Sequence, residues 1–206
     1  MGLLPQLSSA RGVAFSSGRR CYSVLPLVYL PPNPLQKPHG TFNACFIPDQ
    51  FVFDRSGKHY KETSGIQAIT LAPLPLRLAA IDNRRQQLVA EDIIELMKSS
   101  NPNLARDPNA IVIGLTNEDM YSRSHDWKFA FSRWQGRFAV VSSARMNPYN
   151  LGAAPDDDLR NIRLRKMVSK NIGLLYYELP ASNDPRSVMY DGINSVQDLD
   201  NMCEDL

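Results

Sequence analysis

RKMVSKNIGLLYY, Arg165 to Tyr177, is the stretch on which the fold turns. With the residues before it, APDDDLRNIRL, it has the pattern of an amphipathic helix: Leu164, Val168, Ile172 and Leu175 fall on one stripe. Asp156, Asp157 and Asp158 stand at its start, where the helix dipole favours negative charge. Arg163, Lys166 and Lys170 lie at i, i+3 and i+7 on another face. Gly173 weakens a helix interior, so the pattern predicts an end near it. The basic residues have two readings. Charged residues at this spacing are ordinarily a solvated face. Alternatively, Lys166 and Lys170 line a cleft and, with the Tyr176 hydroxyl, hold an anion such as a carboxylate or phosphate.

Upstream, DNRRQQLVAEDIIELMKSS offers Asp82 as an N-cap and places Val89, Ile93, Leu96 and Met97 at helical spacing. NPNLARDPN reads as a loop. AIVIGLT, Ala110 to Thr116, is a short continuous apolar run of the kind found inside a mixed sheet. WKFAFS and RFAVVSSAR alternate as strands around RWQG, a hairpin with Gly136 in its turn. YSVLPLVYL, FNACFI, QFVFD and GIQAITLAPLPLRL give further strands, separated by the proline-rich PPNPLQKPHG. Strand, helix, a run of strands and a second helix define an α/β fold with a mixed sheet. Residues 1–20, rich in Ser, Gly and Arg, read as a flexible arm, and 21–206 as one domain.

With 23 basic and 21 acidic residues, the net charge of +2 gives no electrostatic footprint for nucleic acid or a membrane surface. No run approaches the ~20 apolar residues needed to span a bilayer, and the N-terminus lacks a signal-peptide core, so a soluble protein is expected. Cys21, Cys45 and Cys203 are an odd, widely spaced set without CxxC. Buried thiols are the simplest expectation for them, with a single bridge as the alternative. GxSxG, GxxxxGK[ST] and a GxGxxG after a strand are all missing.

The blocks VIGLTNEDMY, WKFAFSRWQGRFAVVSSARM, the helix with NIGL, and SVMYDGI follow one another in an order that resembles the archaemetzincins, metzincin-type zinc metallopeptidases. Gly114, Leu115, Thr116, Asp119 and Tyr121 match one block of that family. Phe129, Phe131, Ala139, Val140, Val141, Ser142 and Arg145 match another. The similarity covers roughly Leu76 to Met202. It implies a metzincin-like sandwich: a mixed, mainly parallel twisted sheet, a backing helix, and a former active-site helix. It also implies that Met189 occupies the methionine turn, although core packing is the plainer role for a methionine there.

The same resemblance exposes what is missing. Anchored on Gly173, the family's HExxHxxGxxH puts its first two zinc histidines on Lys166 and Lys170, its general-base glutamate on Met167 and its third histidine on Tyr176. Two ammonium groups one turn apart repel a dication, and Met167 cannot deprotonate water. Of four cysteines implied for a second zinc, only Cys203 is present after the helix. The expectation is a catalytically inactive homologue with no metal and no cofactor, whose partner is a peptide or protein segment laid along a sheet edge in the former substrate cleft. Two alternatives stay open: a zinc peptidase with ligands rearranged around His125 or His59, and an anion-binding module using Lys166 and Lys170.

Overall fold

A computed structural model describes residues 60, 62, 66, 68–75, 80–125, 128–204 and 206, together with the backbone of 24–30. The arm at 1–20, the strands expected in FNACFI and QFVFD, and His39, His59, Cys21 and Cys45 lie outside the described residues.

Among the described residues, eight strands form two sheets. They are β1 (Val24–Leu30), β2 (Ile69–Pro75), β3 (Ile81–Asp82), β4 (Gln87–Val89), β5 (Ile111–Thr116), β6 (Met120–Tyr121), β7 (Ser132–Gln135) and β8 (Phe138–Ser142). The larger sheet runs β2-β1-β5-β8-β7 and the smaller β3-β4-β6. Both are mixed, but they are not mainly parallel. Only β5 with β8 and β4 with β6 run parallel, while the other four pairings are antiparallel. The excess arises because β3–β4 and β7–β8 are hairpins, necessarily antiparallel, and because β1 runs antiparallel to both β2 and β5, a direction that local pattern does not reveal.

β5 and β8 are buried on both faces, as a central parallel pair requires. Their alternate side chains feed two cores. Val112, Phe138 and Val140 pack with Ile93, Ile94 and Met97 of helix α1 (Ala90–Ser100). Ile111, Ile113, Ala139 and Val141 pack with the long helix α3 (Asp157–Leu175) and with the C-terminal segment. Between them lies the short α2 (Pro102–Arg106), and helix α4 (Val196–Asn201) follows α3. Among the described residues no helix is long and apolar enough to cross a membrane.

Several local expectations shift. Asp82 does not cap α1; it ends β3, and its Oδ1 accepts from the N–H groups of Arg84 and Arg85 in the turn to β4. Gln86 closes that turn with φ 54°, and α1 begins only at Ala90. The expected loop NPNLARDPN contains α2, started by Pro102 at its first position. The hairpin is present, but its first strand begins at Ser132 rather than at Trp127. Gly136, φ 62°, takes the left-handed position in the turn. After α3, the stretch SNDPRSVMYDGINSVQDLDNM contains α4, whose Ser195 and Asp198 form a reciprocal capping box.

The start of α1 carries a dense polar knot. Glu91 accepts from Ser122 Oγ at 2.6 Å, Ser124 Oγ at 3.0 Å and the Arg123 N–H at 3.1 Å. Partial burial pushes its carboxyl up, but these donors together outweigh burial and hold it at about 2. A depressed carboxyl stabilises the fold above its unfolded pKa, and that contribution is lost as pH falls from about 4.5 through about 2. Glu91→Gln is therefore expected to cost about 2 kcal/mol at pH 7, with the difference from the native chain shrinking toward zero near pH 2. Denaturant titrations of both proteins across that range measure it.

Candidate functional site

Helix α3 presents the residues singled out in the sequence, and its N-cap is in place: the Asp156 side chain accepts from the Leu159 N–H at 2.8 Å. The helix ends at Leu175, close to Gly173 as its pattern predicts. Close approach explains the glycine. A Cβ there would lie 2.5 Å from Met189 Sδ and 2.7 Å from Leu206 Cδ2. Met189, only 6% exposed, is thus seated against the helix at Gly173.

Lys166 and Lys170 are not a solvated face. They are 7% and 8% exposed. Lys166 Nζ donates to the carbonyl oxygens of Leu199 at 2.8 Å and Asp200 at 3.1 Å. Lys170 Nζ donates to the carbonyl of Tyr190 and lies 3.8 Å from Asp191 Oδ1. Burial lowers both amines from the usual lysine range, partly countered by Asp200 and Glu204 near Lys166 and by Asp191 near Lys170. Neither amino group is turned outward to a soluble anion; each is spent on a backbone acceptor.

Two arginines continue the same seam. Arg163, 5% exposed, makes a two-pronged pair with Asp200 at 2.7 Å for both contacts, and its third nitrogen donates to the Met146 carbonyl at 2.6 Å. Arg165 pairs with Glu204. Four cations on two turns of α3, Arg163, Arg165, Lys166 and Lys170, therefore bind the segment from Tyr190 to Glu204. These partners are distant in sequence, and nothing in local spacing signals them; only the i, i+3, i+7 row of cations could have been noticed.

Met167 is a core residue, 4% exposed. Tyr176 is the C-cap, half-buried against the core, with its ring edge-on to Tyr177 at 5.0 Å. Burial raises its hydroxyl pKa. Cys203 is exposed rather than buried. His125 does not join α3: its Nδ1 stands 3.3 Å from Ser124 Oγ and 3.5 Å from Ser122 Oγ, in the Glu91 knot. Glu178 is exposed, with φ 52°, and lies 3.8 Å from Arg137.

The remaining matched residues build a frame. Asp119 takes a two-pronged pair from Arg145, at 2.9 and 2.7 Å, and a further bond from Gln87 at 2.9 Å. Arg145 also lies over the Phe129 ring. Tyr121 donates to Asp82 at 2.9 Å. Fully buried Asn171 of α3 exchanges hydrogen bonds with Ser132 at 2.8 and 3.1 Å, fastening the helix to β7.

These residues do not fit a zinc ion. The amino groups at 166 and 170 donate to carbonyl oxygens, so neither offers a lone pair. Among the described residues, no group of three or more His, Cys, Asp or Glu side chains could hold a metal.

The architecture is one shared with zinc-dependent peptidases, and within them it is archaemetzincin-like. The archaemetzincin of Methanopyrus kandleri is 24% identical, with a TM-score of 0.60 over 80% of this chain and 84% of that one. A zinc-dependent peptidase from Methanocorpusculum labreanum is 17% identical, with a TM-score of 0.65 over 77% and 90%. The archaemetzincin of Archaeoglobus fulgidus, complexed with malonate, is 21% identical, with a TM-score of 0.59 over 79% and 89%. No protein-family description and no curated protein matches the chain.

Proposed function

We propose that this chain is a pseudopeptidase: a metzincin-type sandwich that has lost hydrolytic chemistry and binds an extended peptide or protein segment along the former cleft. The observation that carries it is the commitment of Lys166 and Lys170 to the carbonyls of Leu199, Asp200 and Tyr190. In the archaemetzincins the corresponding helix positions are those of two zinc histidines. Here two protonated amines tie the helix to the segment that follows Met189, a cross-link made by the side chains themselves. Met167 supplies no base and sits in the core. What remains of a peptide-binding cleft is β7, the terminal strand of its sheet, fixed to α3 by Asn171 and Ser132. An edge strand binds peptides through its unpaired backbone groups.

The purified chain is expected to hold well under one equivalent of zinc after dialysis against the metal, by elemental analysis, and to leave a mixed peptide library uncut. One tightly held zinc per chain, or metal-dependent cleavage, would reject the proposal.

A further inference from the structure

We draw no further inference here: the strongest candidate, the surface patch of exposed Tyr149 and Leu151 in the Pro148–Leu151 turn ahead of α3, carries nothing, because nothing in the structure shows what covers it.

Discussion

Arg163→Met is expected to lower the unfolding free energy by about 3 kcal/mol, among the largest losses available from a single change in this chain. Arg163 is almost fully enclosed and makes three charge-assisted contacts, two to Asp200 and one to the Met146 carbonyl. Removing one partner of a buried pair typically costs 3–5 kcal/mol, because the other charge is left stranded. The Asp200 side chain is 29% exposed, so it recovers part of its hydration, which places the loss at the lower end of that range. Denaturant unfolding measures the total. Hydrogen exchange locates it: protection should fall first in α4, which carries Asp200, and not in α1. Lys166→Met provides the contrast. It loses two bonds to carbonyls but also removes the desolvation that depresses the Lys166 amine, so the two effects oppose and the net cost should stay within about 1 kcal/mol. Equal losses for the two variants would mean that the seam is not organised around Arg163.

The difference between these residues shows where sequence reading stops. Periodicity exposes α3 because Leu164, Ile172 and Leu175 must face one core, and a continuous apolar run exposes β5 because both of its faces are buried. Turn chemistry exposes Gly136. Register and strand direction are different: that β1 lies antiparallel to β5 depends on contacts across some eighty positions, for which local pattern carries no information. Asp82 illustrates a local competition. Its side chain suits a helix cap or a turn equally, and the hairpin prevails because β4 is claimed by β6 through Leu88 and Val89. The lysines fail for a related reason. Spacing puts Lys166 and Lys170 on one face of α3, but whether that face meets water or protein is decided by the segment from Tyr190 to Asp200, whose own structure hinges on the α4 capping box.

Introducing imidazoles at the two lysines and at Tyr176 should convert the amine seam into a metal-dependent one. In Lys166→His/Lys170→His/Tyr176→His, with Met167 retained, three imidazoles replace two amines and a phenol at the positions that the proposed resemblance to the archaemetzincins implies for ligands. Without metal, this variant is expected to be less stable than the native chain, since the bonds to Leu199, Asp200 and Tyr190 are gone. Zinc at a hundredfold excess over its dissociation constant should return about 2.7 kcal/mol, whereas the native chain should show no zinc-dependent change. Protons released on binding would make the gain grow with pH through the imidazole range, near 6.5. Peptide cleavage should stay absent in the variant, because residue 167 is still a thioether without a proton-accepting carboxylate. Thermal unfolding with and without zinc separates the outcomes. A variant indifferent to zinc would show that Lys166, Lys170 and Tyr176 do not converge on one point, and so that the two lysines are simply braces of α3 rather than successors to ligands. A native chain stabilised as strongly as the variant would show that it binds zinc through other residues, and the pseudopeptidase proposal would fall with it.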